Sequence, residues 1–112
     1  MSSLFISNNN NRKAWRDNKI ASGFTWNGNT FQADKDSRGL INGRVTKLNT
    51  LIINGRITPE DDEYIDNNGN TRPLVWWTTT NVVISFTVQE YLNFSIALEE
   101  WVEDIYTTAK AN

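Results

Sequence analysis

The feature that most constrains the fold is an Asn-Gly pair between two short runs of aromatic and threonine residues. Asn27 and Gly28 predict a two-residue hairpin turn, because both turn positions need a positive φ that these residues adopt at low cost. With that turn, Phe24 lies opposite Phe31 as a cross-strand aromatic pair. A lone hairpin is unstable in water, so its apolar face has to pack on a helix or another sheet.

A long helix is predicted near the end of the chain. Thr87 and Glu90 have the spacing of a capping box, in which each side chain accepts a hydrogen bond from the other residue's backbone N–H. The residues that follow keep apolar side chains on one face over about twenty positions: Tyr91, Phe94, Leu98, Trp101, Val102 and Ile105. We expect this helix to be the spine of the core.

The segment of residues 38–58 allows two interpretations. Apolar residues at helical spacing predict a helix that is capped by Asp36 or Ser37 and ends near Gly55; they are Leu40, Ile41, Val45, Leu48, Leu51 and Ile52. However, the sequence Ile-Asn-Gly-Arg starts at residue 41 and again at residue 53, and each copy would suit an Asn-Gly hairpin. The helix is the preferred interpretation, and paired hairpins are the alternative.

Two further β-ribbons are predicted before the last helix. Residues 64–71 contain another Asn-Gly reversal, and residues 74–86 are rich in β-branched and aromatic side chains. We expect two strands in the second ribbon, joined near Thr80 and Asn81. The expected fold class is therefore α+β: a small single domain in which β-hairpins pack on two or three helices, with a long C-terminal helix.

The beginning of the chain is expected to form a flexible arm over residues 1–11, followed by the single domain over residues 12–112. The arm has an apolar tip, Leu4 to Ile6, and then four Asn residues with low helix and strand propensity. A short basic helix that stops at Gly23 follows the arm.

The basic helix has two open interpretations. Its charged face is either a solvated surface above a Trp15 that packs on the core, or an anchor that grips an acidic partner. The candidate partner-binding residues are taken from the arm, this helix and the last ribbon: Leu4, Phe5, Ile6, Arg12, Trp15, Arg16 and Trp76.

Composition excludes several kinds of chemistry. The chain has no His and no Cys, which removes a Ser-His-Asp triad, a thiol nucleophile, a zinc knuckle and a disulfide. An EF-hand that starts at Asp66 would have Thr71 where glycine is needed and Trp77 where the last glutamate is needed. We therefore expect no enzyme activity, no catalytic residue, no metal site and no cofactor.

Charge and hydropathy argue against two classes of partner. The chain has 11 Lys and Arg against 13 Asp and Glu, whereas nucleic-acid binding needs concentrated positive charge. No apolar run approaches the ~18–20 residues of a membrane span. We expect neither a nucleic acid nor a membrane as a partner, and a binding or structural role.

Several motifs resemble a domain of unknown function found in the tail proteins and the tail-fibre and fibre-assembly proteins of tailed bacteriophages. The resemblance covers residues 12–109, with an apparent insertion at residues 55–73. It rests on these stretches: the basic helix, Gly23-Phe24, Trp26-Asn27-Gly28, Asp36-Ser37, Ile41-Asn42-Gly43, Trp77-Thr78-Thr79, the capped helix start at Thr87, and Ile105-Tyr106.

The resemblance implies a phage protein that works in or around the tail, and it also favours the helix over the hairpins at residues 38–54. The expected function is a non-enzymatic virion component that docks on tail or tail-fibre subunits in several copies, as a homo-oligomer. It would be located in the virion tail, and in the host cytoplasm during assembly. The alternative is a tail-fibre assembly chaperone that leaves before the virion is complete. A carbohydrate-binding tip built on Trp76 or Trp77 is a remote third possibility.

Overall fold

A computed structural model of the chain describes residues 9–111, with side chains described for residues 11–110. Over this part the chain forms three helices and six strands of three residues each. They are α1 (Asn9–Ala21), β1 (Phe24–Trp26), β2 (Asn29–Phe31), α2 (Lys35–Ile53), β3 (Glu63–Ile65), β4 (Thr71–Pro73), β5 (Val75–Trp77), β6 (Val83–Ser85) and α3 (Val88–Ala111). The strands pair as three separate antiparallel hairpins, β1–β2, β3–β4 and β5–β6. The expected α+β class, with a long C-terminal helix, is confirmed.

Helix α3 is the spine of the core. Its capping box is present, since the Glu90 N–H donates to Thr87 Oγ1 at 3.1 Å and the Thr87 N–H donates to Glu90 Oε1 at 2.8 Å. The predicted apolar stripe is buried except for a half-buried Trp101. Helix α1 covers the C-terminal half of α3, where the Arg16 guanidinium lies 4.8 Å from the ring centre of Tyr106. Helix α2 also packs on α3, where the Arg44 guanidinium lies 5.7 Å from the ring centre of Tyr91.

The β1–β2 hairpin has the predicted turn and register. Asn27 and Gly28 have φ values of 49° and 82°, and Phe24 pairs with Phe31 across the strands. Both phenylalanines are buried, and the Phe31 ring centre lies 4.8 Å from that of Phe94 in α3. The apolar face of this hairpin is therefore covered by the spine helix.

Helix α2 settles the ambiguity of residues 38–58 in favour of the helix, and the paired hairpins are wrong. Its N-cap is Asp34, not Asp36 or Ser37, because Asp34 is extended (φ −65°, ψ 164°) and its carboxylate accepts from the Ser37 N–H at 3.1 Å. The hydrogen bonds from the Ser37 side chain and backbone hold the pKa of Asp34 below its usual value. Among the stripe residues, Leu40 is 66% exposed, contrary to expectation.

The C-terminus of α2 explains the second Asn-Gly pair. Gly55 has a φ of 70°, its N–H donates to Ile52 O at 3.0 Å, and the Arg56 N–H donates to Leu51 O at 2.9 Å. These two bonds form a Schellman motif that ends the helix. The first copy of the pair, Asn42-Gly43, lies inside the helix.

The β3–β4 and β5–β6 hairpins confirm the two predicted ribbons. Asp66 stabilises the turn between β3 and β4, because its carboxylate accepts hydrogen bonds from the backbone N–H groups of Asn68 and Asn70 and from Arg72 Nε at 2.7 Å. The bond from Arg72 is the main reason why the pKa of Asp66 lies below its usual value. The second ribbon turns at residues 78–82, with Asn81 at a φ of 65°.

The N-terminal boundary differs from the expectation. Helix α1 begins at Asn9, so residues 9–11 belong to the helix and not to an arm. Residues 1–8, which include Leu4, Phe5 and Ile6, lie outside the described residues. No helix in the described part of the chain is long and apolar enough to cross a membrane.

Candidate interaction surface

The charges of the chain are unevenly distributed along it. All 11 basic and all 13 acidic residues lie outside residues 20–33 and 74–89. These two segments contain the β1–β2 and β5–β6 hairpins, and the fold joins them through a hydrogen bond of 2.9 Å from the Thr79 N–H to Thr30 O. We call the exposed side chains of the two segments the neutral face.

An exposed apolar pair stands out on the neutral face. Trp77 and Val83 lie opposite each other in the β5–β6 register and are 49% and 53% exposed. Val82, just before β6, is also 53% exposed. A tryptophan and a valine exposed side by side are a feature of surfaces that bind other proteins, because exposed apolar surface is otherwise costly in water.

The alternation of side chains along β5 explains why Trp77 is exposed. Successive residues of a strand point to opposite faces, so two neighbouring tryptophans cannot both face the core. Trp76 and its cross-strand partner Ile84 are half-buried and pack against the core. Trp77 is then directed outward.

Arg44 of α2 fixes the inner side of the β5–β6 hairpin. Its Nη1 donates to Val75 O at 2.7 Å, and its guanidinium lies 5.4 Å from the ring centre of Trp76. The guanidinium also lies 5.7 Å from the ring centre of Tyr91, whose hydroxyl is buried without a hydrogen-bond partner within the described structure. Burial raises the pKa of Tyr91 to about 12, and the nearby Arg44 opposes this rise.

A shallow groove of about 220 Å³ separates the two turns of the neutral face. Thr78 is buried in its wall, where Oγ1 accepts from the Val82 N–H at 3.0 Å and so closes the β5–β6 turn. The groove is lined by uncharged residues, namely Gly28, Asn29, Thr30, Thr78, Thr79, Thr80 and Val82. It offers hydroxyl and amide groups and no charge to a ligand.

Three of the predicted binding residues lie at the other end of the spine helix. Trp15 is half-buried and packs against the core, as the first interpretation of the basic helix expects. Arg16 already interacts with residues of its own chain, since its Nε lies 3.2 Å from the Asp17 carboxylate and its guanidinium lies over the ring of Tyr106. Arg12 is half-buried and lines a groove of about 330 Å³ between α1 and the end of α3.

The structure does not bring the predicted residues together. Trp76 lies near Tyr91, whereas Arg16 lies on Tyr106, about 22 Å further along α3 at 1.5 Å per residue. Leu4, Phe5 and Ile6 are outside the described residues. The candidate partner-binding residues chosen from the sequence do not include Trp77. The uncharged stretch from residue 74 to residue 89 is the sequence feature that points to it.

A second cleft, of about 290 Å³, lies between α2 and the β3–β4 hairpin. Its two cations already have partners: Lys47 Nζ donates to the Tyr64 hydroxyl at 3.3 Å, and Arg56 Nη2 donates to Ile65 O at 2.8 Å. Within the described residues, no group of three or more His, Cys, Asp or Glu is placed to hold a metal ion. Both cations of this cleft are therefore already engaged within the chain.

Comparison with known proteins gives the family of the chain. Residues 8–111 match the model of a domain of unknown function, DUF4376. The chain belongs to the DUF4376 family. No curated protein and no solved structure gave a significant match.

The DUF4376 match covers the described fold from α1 to α3. The neutral face and the α1–α3 end therefore both lie within the domain that defines the family. Because the family description assigns no activity, the function has to be argued from the surface itself.

Proposed function

We propose that this chain is a non-enzymatic structural component of a tailed bacteriophage, which docks on tail or tail-fibre subunits of the virion. The phage assignment is supported by the sequence motifs that resemble phage tail domains. The docking role is supported by the neutral face.

The observation that carries the docking role is the exposed Trp77–Val83 pair within a surface that has no charged residue. Charged residues are depleted at the centre of protein interfaces, where aromatic residues are enriched. The residues of this face therefore bring no charge of their own into an interface, where burying an unpaired charge would cost several kcal/mol. An enzyme would instead need groups that take or give protons at a pocket, and the groove beside Trp77 is lined by threonine, asparagine, glycine and valine.

The test of the proposal is quantitative mass spectrometry of gradient-purified virions from the source phage. We expect the chain at a fixed ratio to the other tail proteins, in a multiple that fits threefold or sixfold symmetry. If the chain is abundant in the infected-cell lysate and missing from virions, the structural proposal fails and the chain is an assembly factor.

A matched pair of variants locates the docking surface. Trp77→Ser is expected to lower incorporation into virions by at least about tenfold, because a central tryptophan commonly dominates an interface. Ile53→Ser is the control, since Ile53 is 83% exposed and lies at the end of α2, nine residues beyond Arg44, which contacts β5. Equal incorporation of the two variants would remove the neutral face as the docking surface.

Deletion of residues 2–8 tests the arm separately. The deletion leaves α1, which begins at Asn9, intact. If Leu4, Phe5 and Ile6 contact a neighbouring subunit, incorporation falls and the melting temperature of the isolated protein stays nearly unchanged. A large fall in the melting temperature would instead make these residues part of the core of the domain.

A further inference from the structure

We propose that the outer edge of β6 joins two copies of this chain into a symmetric dimer. The two β6 strands would pair antiparallel about a two-fold axis at Ile84, and the two β5–β6 hairpins would then form one four-stranded sheet. The proposal names a second copy as a partner of the neutral face. It does not depend on the phage assignment.

The hydrogen bonds of the hairpin show which backbone groups of β6 face outward. The Thr78 N–H donates to Val82 O and the Phe86 N–H donates to Leu74 O, both at 2.9 Å. Bonded and non-bonded pairs alternate in an antiparallel ladder, so the backbone groups of Val83 and Ser85 point away from β5. Within the described residues, β6 pairs with β5 alone.

The two edges of the hairpin differ in how they are covered. On the β5 side, Arg44 donates to Val75 O and so occupies an outward carbonyl. On the β6 side, Val83 and Ser85 are both exposed, and no hydrogen bond within the described structure reaches their outward N–H and C=O groups. The free edge is therefore the edge of β6.

The β6 edge also lacks the usual protection against pairing with another strand. Proteins commonly protect an edge strand with a lysine, another inward-pointing charge or a proline. Here no charged residue occurs from residue 74 to residue 89, and both prolines of the chain, Pro59 and Pro73, lie outside β6. An exposed edge with valine and tryptophan on the same hairpin is thus competent to pair.

A second copy is the occupant that best fits this edge. In a two-fold pairing centred at Ile84, Val83 of each copy meets Ser85 of the other, and the four outward N–H groups find the four outward C=O groups. Identical surfaces that meet across an axis repel each other when they carry charge, and this one carries none. The pairing would also bring both Trp77–Val83 pairs onto one sheet face, which enlarges the apolar surface offered to a further partner.

The first experiment is sedimentation equilibrium of the full chain over a concentration series. A three-residue edge is short, so we expect a concentration-dependent dimer with a Kd on the order of micromolar or weaker. Val83→Lys should raise this Kd by at least about tenfold, because it places like charges near the axis. Val82→Lys is the matched control, since Val82 has the same 53% exposure but its carbonyl points to β5.

A second variant removes the intermolecular bonds without adding a charge. The Ser85 N–H is not used in the hairpin ladder, so Ser85→Pro should preserve the fold and delete two of the four bonds between copies. We expect a rise in Kd of about tenfold. Unchanged dimerisation of both Val83→Lys and Ser85→Pro would overturn the assignment to β6, and a monomer at every concentration would overturn the dimer.

Amide hydrogen exchange distinguishes pairing of β6 with a second copy from coverage of the β6 edge by another segment of the same chain. Exchange at Val83 and Ser85 should slow as the protein concentration rises, while exchange at Ile84, whose N–H faces β5, stays slow throughout. If Val83 and Ser85 are protected at every dilution and lose protection when residues 2–8 are deleted, the chain covers its own edge and the proposal is wrong. None of these outcomes alters the virion test of the proposed function.

Discussion

The β1–β2 and β5–β6 hairpins have the same local design and opposite environments. Each has two three-residue strands, lies in an uncharged segment and turns through an asparagine with positive φ. In β1–β2 the pair Phe24–Phe31 is buried against Phe94, whereas in β5–β6 the pair Trp77–Val83 is about half exposed.

The difference shows that a cross-strand apolar pair does not by itself mark the core. Helix α3 covers the aromatic face of β1–β2, and it leaves the outer face of β5–β6 open because Trp76 and Ile84 already occupy the inner side. We therefore expect the first hairpin to contribute stability, and we propose that the second contributes binding surface. Four predictions test this contrast.

Phe31→Ala should have the largest effect. The side chain is 1% exposed and lies between the rings of Phe86 and Phe94, so its removal leaves a cavity and should lower the free energy of unfolding by about 3–5 kcal/mol. Urea denaturation measures this change. A loss below about 1 kcal/mol would mean that the hairpin is not part of the cooperative core.

The pH dependence of stability tests the burial of Tyr91 on the inner side of the β5–β6 hairpin. Its pKa is about 12 in the folded chain, whereas an unfolded tyrosine titrates near its ordinary value of 10.0, so the folded state holds the proton more tightly. The tighter hold on this proton stabilises the folded state fully below pH 10. That part of the free energy of unfolding, roughly 2–3 kcal/mol, is lost as pH rises from about 10 to about 12.

Tyr91→Phe should remove that part of the pH dependence. At neutral pH the variant should be as stable as the wild type or up to about 1 kcal/mol more stable, because it removes a buried hydroxyl that has no partner in the described structure. Unfolding curves of both proteins between neutral and alkaline pH provide the measurement. A loss of about 2 kcal/mol at neutral pH would show that the hydroxyl is satisfied in solution.

Gly28, in the β1–β2 turn, and Gly23, just before β1, distinguish backbone strain from steric crowding. Both have positive φ, but a Cβ at Gly28 meets nothing within 4 Å, whereas a Cβ at Gly23 would lie 2.7 Å from Thr30 Cγ2 and 3.0 Å from Phe31 O. We expect Gly28→Ala to cost about 1 kcal/mol and Gly23→Ala about 2–3 kcal/mol. Thermal unfolding of the two variants should preserve this order, and a reversed order would contradict the close packing of α1's end on the hairpin.

Trp77→Ala should have a small effect on stability. Its side chain is half exposed and its ring contacts only Trp76 among the described aromatic residues, so the free energy of unfolding should fall by about 1 kcal/mol, well below the loss for Phe31→Ala. Docking on a partner subunit should nevertheless weaken, which calorimetry of the same sample can measure. A loss comparable to that of Phe31→Ala would break the contrast between the two hairpins.

Local signals in the sequence predicted most of the elements, and contacts between distant segments corrected their details. The turn at Asn27-Gly28 and the capping box at Thr87 depend on neighbouring residues, and both form as predicted. The start of α1 at Asn9 was missed, because an asparagine run has low helix propensity. The cap of α2 was placed two or three residues late, because several neighbouring residues, Asp34, Asp36 and Ser37, could each serve.

The candidate binding residues from the sequence and the neutral face are different surfaces, and both remain predictions. Trp76 was selected, and the structure places it against the core, while its neighbour Trp77 is exposed. Arg12, Trp15 and Arg16 were grouped correctly on one helix, but they lie far from the neutral face. Periodicity along a strand gives the relative orientation of neighbouring side chains and does not say which of the two faces will be covered.

The sequence by itself determined the Asn27-Gly28 turn, the capping box of α3, the absence of His and Cys chemistry and the two uncharged segments, because each of these depends on residue identity and short spacing. Only the tertiary structure decided that one Asn-Gly pair lies inside a helix and its copy ends it, and that Trp77 faces out while Trp76 faces in. Local preferences differ by about 1 kcal/mol per residue. Packing against α3 contributes several times that amount, so burial against a distant helix overrides the local choice.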